Sequence, residues 1–238
     1  MDGIVIVDKP EGWTSQDVVS KLRGVFKTRR IGHGGTLDPM ATGVLPVFVG
    51  RATRGVEFFE HAEKTYEAVL RLGLSTDTED ITGTVLAEKE VNITEAQFLS
   101  ALESFRGEIQ QIPPMYSAIK VNGQKLYDLA RQGIVVEREQ KEIMVYDIRL
   151  DSLIFCDGND TEFKSEEERL DVAVLQKEVS RAYITVHCSK GTYIRSICHD
   201  IGEKLGCGAC MGSLLRTKVG RFTVEDSKKM KELAQLSE

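Results

Sequence analysis

The stretch RIGHGGTLDPMATGVLPVFVG, Arg30–Gly50, places a short polar run directly before an apolar one. The polar run holds three glycines, a histidine and one carboxylate, Asp38, which stands between a leucine and a proline. The apolar run, Val44–Val49, predicts a buried strand. A carboxylate held before a proline and beside a buried strand is a candidate nucleophile or base, although turn formation explains the same aspartate.

The composition is that of an ordinary globular protein. The 238 residues are 41% hydrophobic and 29% charged, which is sufficient for a sizeable core. No apolar run approaches the roughly 18 residues of a membrane span, and the N-terminus MDGIVIVDKP does not resemble a secretory signal. The five cysteines lack a disulfide-framework spacing, so we expect reduced thiols and a cytoplasmic location.

The charge is distributed unevenly along the chain. A net charge of −6 argues against a nucleic-acid partner. Basic residues nevertheless flank the opening stretch, with only Asp38 opposing them: Lys21, Arg23, Lys27, Arg29, Arg30, Arg51 and Arg54. Because salt screens charges beyond about 8 Å, a local basic patch can still bind phosphates. A phosphate-binding surface and a solvated helix face both explain this pattern.

Hydrophobic periodicity predicts strands and helices without a regular βαβ alternation. We expect a strand at Ile4–Val7, a helix from the N-cap Ser15 to about Lys27, and a helix that begins with a capping box of Thr94 and Gln97. The remaining elements are expected as strands at Thr65–Leu74, Thr84–Val91, Ile143–Phe155, Arg181–Ser189 and Leu214–Val219, a hairpin around Asn122-Gly123, and helices at Ala52–Ala62, Tyr127–Gln132, Thr192–Leu205 and Glu225–Leu236. This order predicts an α+β fold around a central mixed, largely antiparallel sheet flanked by helices and loops.

We expect residues 1–238 to form one domain, because no repeat or low-complexity linker divides the chain. The acidic segment 157–171 is expected to be an exposed loop or insertion. Residues 223–238 are expected to form a C-terminal helix.

Several familiar catalytic motifs are missing from the sequence. It contains no G-x-x-x-x-G-K-[ST], no H-E-x-x-H and no G-x-S-x-G. Cys207 and Cys210 form one C-x-x-C without a second pair of ligands, so we expect neither a metal nor a cofactor. Arg195 stands at a predicted strand-to-helix junction and could pair with Asp38, keeping it ionised, or could equally be a surface residue.

The stretch Gly32–Gly50 closely resembles the catalytic motif of the TruB-type pseudouridine synthases, which isomerise uridine 55 in the TΨC loop of tRNA. Further segments similar to that family follow in the same order: Asp8-Lys9-Pro10 with Gly12, Thr14 and Ser15; Lys64-Thr65-Tyr66; Gly73–Gly83; Pro113–Gly133; Cys188–Gly208; and Leu214, Arg216 and Gly220–Phe222. The similarity runs from Asp8 to about Phe222. The resemblance therefore implies a pseudouridine-synthase catalytic fold and activity.

The resemblance also implies roles for individual residues. Asp38 matches the catalytic aspartate, Tyr66 the aromatic that stacks on the flipped uracil and is proposed to accept the C5 proton, and Arg195 the arginine that pairs with the aspartate. The positions implied to bind or surround the substrate are His33, which supports the rearranged RNA loop, Gly34, Gly35, Thr36, Tyr193, Leu214, Asp80 and Lys9, the last packed under the site.

The implied partner is the TΨC stem-loop of tRNA, with no membrane, no required protein partner and a monomeric enzyme. Family members usually carry a C-terminal PUA-type RNA-binding domain, which we expect to be absent here. Three alternatives stay open: a tRNA-binding folding chaperone with dispensable catalysis, a glycosidase-like enzyme that uses Asp38 but releases the base, and a guide-dependent relative that acts on other RNAs. Asp38 either attacks C1′ or removes the 2′ proton to give a glycal, and the sequence does not choose between these routes.

Overall fold

The computed structural model describes residues 2–156 and 179–235, so the acidic segment predicted at 157–171 lies outside the described residues. The chain forms two compact units, each assembled from separated segments. The first unit comprises Met1–Glu67, His187–Lys190 and Ser213–Glu238, and the second comprises Ala68–Val186 and Gly191–Gly212. Three of the four crossings between the units lie within strands and the fourth lies in the turn at Lys190 and Gly191, so no linker marks the boundary in the sequence.

The elements of both units are numbered in chain order. The strands are β1 (Gly3–Lys9), β2 (Ile31–His33), β3 (Thr42–Val49), β4 (Lys64–Leu72), β5 (Leu74–Thr76), β6 (Val85–Glu88), β7 (Gly107–Gln111), β8 (Lys120–Val121), β9 (Gln124–Lys125), β10 (Lys141–Ile154), β11 (Arg181–Cys188), β12 (Ala209–Val219), β13 (Phe222–Thr223) and β14 (Lys228–Lys229). The helices are α1 (Ser15–Val25), α2 (Val56–Glu60), α3 (Glu95–Glu103), α4 (Leu126–Arg131), α5 (Ile194–Leu205) and α6 (Met230–Gln235), with a 3₁₀ segment at Gly50–Gly55 before α2.

The first unit is organised around β3, which is buried from Gly43 to Val49. β1 runs antiparallel to β3, from Gly3 opposite Val49 to Lys9 opposite Gly43. β12 runs parallel to β3 on its other side, with Arg216 opposite Gly43. Helix α1 buries its apolar face against this sheet, together with one leucine of α6, in a cluster that includes Val18, Val19, Leu22, Val47 and Leu233. The sheet therefore combines parallel and antiparallel pairs.

The second unit contains the sheet order β4-β11-β10-β7. β10 and β7 pair antiparallel, from Lys141 opposite Gln111 to Val145 opposite Gly107. The hairpin β8–β9 turns at Asn122 and Gly123, which both adopt positive φ, as a tight hairpin turn requires. Together with the first unit, these strands confirm the predicted α+β class and its mixed sheet.

Two local predictions are wrong. Thr14, not Ser15, is the N-cap of α1, and it forms a capping box with Asp17. The predicted helix Glu225–Leu236 is divided within the described residues into a 3₁₀ turn at Val224–Asp226, strand β14 and the short α6. β14 pairs with β1 and so gives hydrogen-bond partners to the edge of a strand that would otherwise lack them. Within the described residues, no helix is both long enough and apolar enough to cross a membrane.

Candidate active site

Asp38 lies in the first unit, in the loop between β2 and β3 (residues 34–41, the Asp38 loop). Ser15, at the start of α1, anchors Leu37, the residue that precedes Asp38. The Ser15 hydroxyl accepts a hydrogen bond from the Leu37 amide at 2.9 Å and donates to the Leu37 carbonyl at 3.3 Å. Both residues are buried, so solvent does not compete for these bonds. Ser15 therefore positions the main chain on one side of Asp38.

Lys9 and Gly12 anchor the residue after Asp38. The Pro39 carbonyl accepts hydrogen bonds from the Gly12 amide at 2.8 Å and from the Lys9 ammonium at 3.1 Å. Lys9 Nζ also donates to the Pro10 carbonyl at 2.9 Å and the Trp13 carbonyl at 2.6 Å. The main chain is thus held on both sides of Asp38, whose side chain is half-buried.

Lys9 is a buried cation, with 0% of its surface exposed. The pKa of Lys9 is lowered to about 8, chiefly because the side chain is buried. The charge of Asp38 raises this pKa, and the charge of Arg216 lowers it. Its ammonium is engaged by three carbonyls of the surrounding main chain. This arrangement suits the support role that the resemblance implied, and a direct contact between Lys9 and substrate stays a prediction.

Arg216 is a site residue to which sequence reasoning assigned no role. It lies on β12 with 1% of its surface exposed, and its Nε donates to the Val44 carbonyl at 2.8 Å. Its Nη1 and Nη2 donate to the carbonyls of Thr36 and Gly35, both at 3.3 Å. The alternation of side chains along the strand could have indicated its burial, because Arg216 is two residues after Leu214 and therefore lies on the same, buried face of β12. Arginine is almost never fully buried unless its charge is paired, so an arginine on a buried strand face indicates a specific role.

Tyr66 lies on β4 and is 8% exposed. Burial raises its pKa, and the charges of Cys188 and Asp38 raise it further, whereas the charge of Arg216 and a hydrogen bond with its guanidinium lower it. The first unit therefore brings Asp38, Tyr66 and Arg216 into one electrostatic cluster. A carboxylate and a phenol in such a cluster can perform nucleophilic or acid–base chemistry.

His33 ends β2 and is half-buried. Burial lowers its pKa, the charge of Arg216 adds to the effect, and a hydrogen bond with the Gly35 backbone opposes it, so the neutral imidazole is favoured. Gly34 has a packing reason to be glycine, because an added Cβ would lie 2.9 Å from Cε2 of Phe48. Gly35 adopts φ +116°, which L side chains rarely do, and Thr36 is exposed.

Arg195, Asp80 and Tyr193 lie in the second unit. Arg195 is 4% exposed in the first turn of α5, where Nη1 donates to the Thr78 carbonyl at 3.0 Å and Nη2 to the Tyr116 carbonyl at 2.8 Å. Its Nε stands 3.9 Å from Oδ2 of Asp80. Oδ1 of the same carboxylate accepts from the Thr78 hydroxyl at 2.8 Å. Arg195 is thus a buried, multiply held guanidinium, and its pairing with Asp38 stays a prediction.

The remaining predicted residues are Tyr193 and Leu214. The main chain of Tyr193 makes two hydrogen bonds with the Gln111 side chain, at 2.8 and 3.0 Å. Leu214 is 6% exposed on β12, within the first unit. Across residues 2–156 and 179–235, no group of three or more His, Cys, Asp or Glu side chains is arranged to hold a metal ion.

Comparison with known proteins gives matches along the whole chain. The model of the TruB family pseudouridylate synthase N-terminal domain matches residues 23–194, and that of the tRNA pseudouridylate synthase B C-terminal domain matches residues 195–238. The tRNA pseudouridine synthase B of Clostridium kluyveri is 44% identical over 95% of this chain and 70% of its own length. That of Solibacter usitatus is 44% identical over 100% of this chain and 73% of its own length.

A solved structure is similar to this chain in both sequence and fold. A chain in the crystal structure of a Cbf5-Nop10-Gar1 complex is 30% identical to this one, with a TM-score of 0.69. The similarity covers 98% of this chain and 54% of that chain. The family models, the relatives of 44% identity and the shared fold agree: the chain belongs to the TruB family of pseudouridylate synthases.

Proposed function

We propose that the chain isomerises uridine 55 in the TΨC loop of tRNA to pseudouridine, with Asp38 as the catalytic residue. The observation that carries this proposal is the anchoring of the main chain on both sides of Asp38, through Leu37 to Ser15 and through Pro39 to Lys9. Such anchoring is what a carboxylate needs to meet a reacting carbon in one geometry. Membership of the family supports the reaction class, and the relatives called tRNA pseudouridine synthase B support the substrate.

The reaction breaks the bond between N1 and C1′, rotates the base and joins C5 to C1′. A proton leaves C5 and a proton is gained at N1, so product and substrate are isomers. The sugar carbon is inaccessible in a stacked loop, so the nucleotide must be flipped, at a cost of a few kcal/mol. Stacking of the flipped base on Tyr66 returns about 1–3 kcal/mol of this.

Asp38 acts on the sugar in its ionised form. As a nucleophile it attacks C1′ and displaces N1. As a base it removes the 2′ proton, and the electron pair of that bond forms the glycal double bond as N1 departs. Either role needs a carboxylate, and we propose that pairing with Arg195 keeps it charged.

The other predicted residues complete the proposed substrate site. In this proposal His33, Gly34, Gly35 and Thr36 face the RNA loop and Leu214 packs in the active-site pocket. Tyr193 is proposed as a residue beside the site, and Asp80 as an acidic residue near the substrate. Five basic residues of α1 and the segment after it are exposed, which supports phosphate contacts by this face: Lys21, Arg23, Lys27, Arg29 and Arg30. We further propose that the enzyme works as a monomer in the cytoplasm, where its substrate lies, without a required protein partner.

The test is to incubate the protein with unmodified tRNA transcript and to map pseudouridine by position. We expect conversion at uridine 55. Asp38→Ala should lower the single-turnover rate by about four or more decades while tRNA binding stays largely intact. Glu95→Gln, which changes an exposed carboxylate in the first turn of α3, is the matched control and should match wild type.

Other outcomes would point to other functions. Near-wild-type turnover by Asp38→Ala would exclude the proposed role of that residue. Release of free uracil would indicate a glycosidase, and refolding of tRNA without pseudouridine would indicate a chaperone. Tyr66→Leu should slow turnover far more than it weakens binding, and equal losses in both would contradict a role in proton transfer.

A further inference from the structure

Arg216 is the largest fully buried side chain in the described part of the chain. Three of its hydrogen bonds go to main-chain carbonyls, those of Val44, Thr36 and Gly35. Removing a guanidinium from water costs several kcal/mol, and an apolar residue of similar volume often fills such a position with equal or greater stability. Packing alone therefore does not explain an arginine here.

The contacts of Arg216 connect two parts of the proposed site within the first unit. Its Nη atoms hold the carbonyls of Gly35 and Thr36, which directly precede Leu37 and Asp38 in the chain. The same guanidinium is close enough to Tyr66 that its charge and hydrogen bonding lower the pKa of that phenol, against the larger effect of burial. One rigid, planar group thus links the Asp38 loop to the phenol.

The base of the Arg216 side chain is held equally closely. β12 pairs with β3 so that Arg216 lies opposite Gly43. An added Cβ at Gly43 would lie 2.3 Å from the Arg216 carbonyl oxygen, so the two strands meet without room for a side chain. The guanidinium therefore extends from a fixed main chain and has little freedom to move.

We propose that Arg216 is a positioning residue of the reaction: through the Gly35 and Thr36 carbonyls it fixes the main chain that carries Asp38 relative to Tyr66. This inference rests on the proposed function. A phenolate accepts the proton that leaves C5, while the electron pair of that C–H bond restores the double bond of the base. The phenol then returns a proton to N1, which completes the isomerisation.

The charged and titratable groups around Tyr66 come from several elements. Arg216 favours the phenolate, whereas Asp38 and Cys188 oppose it. The charge of Arg216 also lowers the pKa of Lys9 and of His33. Arg216 is therefore the group whose removal should shift the ionisation of Tyr66 toward higher pH.

The experiment compares Arg216→Lys, which keeps the charge, with Arg216→Met, which removes it. Single-turnover pseudouridine formation is measured from about pH 6 to about pH 11, a range that passes the ordinary pKa of tyrosine near 10, together with tRNA affinity and thermal unfolding. Lys218→Met, an exposed change on the same strand, is the matched control and should match wild type. We expect Arg216→Lys to lose about tenfold in rate with an unmoved pH profile. Arg216→Met should lose roughly a hundredfold, with its rising limb moved to higher pH and affinity within a few-fold of wild type.

Several results would overturn the inference. Wild-type rate and pH profile in folded Arg216→Met would do so, as would equal losses in both variants with an unmoved profile, because that is the behaviour of a merely structural residue. If Arg216→Met does not fold, Arg216→Gln takes its place, and an unmoved limb in that variant refutes the inference. If neither neutral variant folds, wild-type turnover by folded Arg216→Lys refutes it.

The two proposals fail in different ways. A wild-type protein that forms no pseudouridine refutes the proposed function. An active wild type and an inactive Asp38→Ala, combined with Arg216 variants that match wild type, refute only the role of Arg216.

Discussion

Ser15→Ala should separate the positioning of Asp38 from the stability of the fold. The substitution removes the hydroxyl that accepts from the Leu37 amide at 2.9 Å and donates to its carbonyl at 3.3 Å. Ser15 is 2% exposed and Leu37 is 3% exposed, so these groups lose their partner in a buried place. An unsatisfied buried amide costs about 1–3 kcal/mol, which sets the expected loss of unfolding free energy.

The expected effect on turnover is larger than the stability loss suggests. Freed from Ser15, the loop relaxes, and a displacement of about 1 Å at the reacting group lowers a rate by about a hundredfold. We therefore expect single-turnover pseudouridine formation to fall by about two decades at saturating tRNA, with affinity little changed. Urea unfolding of the same sample gives the stability loss.

Thr14→Ala is the matched control, because it changes the neighbouring residue at comparable cost. Thr14 caps α1 at an exposed position, and loss of such a cap costs about 1 kcal/mol. This variant should be destabilised and yet turn over at the wild-type rate below its melting temperature. Wild-type turnover by folded Ser15→Ala would refute the reasoning, as would an equal loss of turnover in Thr14→Ala.

Three further predictions test packing, electrostatics and mechanism. Gly202→Ala should cost about 3 kcal/mol in thermal unfolding, because its Cβ would lie 2.0 Å from the Ala209 amide nitrogen, whereas Gly24→Ala, in open space on α1, should stabilise by up to about 1 kcal/mol. The pKa of Lys9 is 10.5 in its ordinary state and about 8 in the folded protein, so between these pH values the unfolded chain binds more protons than the folded one. The free energy of unfolding should therefore rise with pH across this range, by about 3 kcal/mol. Lys9→Met should lack this rise, and an identical pH dependence of stability in both proteins would contradict the prediction. Deuterium at C2′ of uridine 55 should slow single turnover severalfold if Asp38 removes the 2′ proton, and leave the rate nearly unchanged if Asp38 attacks C1′.

Local patterns predicted much of the secondary structure because each signal acts within a few residues. The capping box of Thr94 and Gln97 and the hairpin turn at Asn122-Gly123 are both present as predicted. The prediction of Ser15 as the N-cap was wrong because Thr14 and Ser15 are adjacent and both carry a hydroxyl that can cap a helix. The long-range bond to Leu37 decided which of the two faces the loop.

The sequence by itself determined the α+β class and the family and led to the proposal that Asp38 is catalytic, since these depend on residue type and order along the chain. Only the tertiary structure decided how Asp38 is held. Lys9, Ser15 and Arg216 reach the Asp38 loop from β1, α1 and β12, elements that the sheet brings together from distant parts of the sequence. Their buried hydrogen bonds to carbonyls leave no local pattern, because a carbonyl acceptor is the same at every residue.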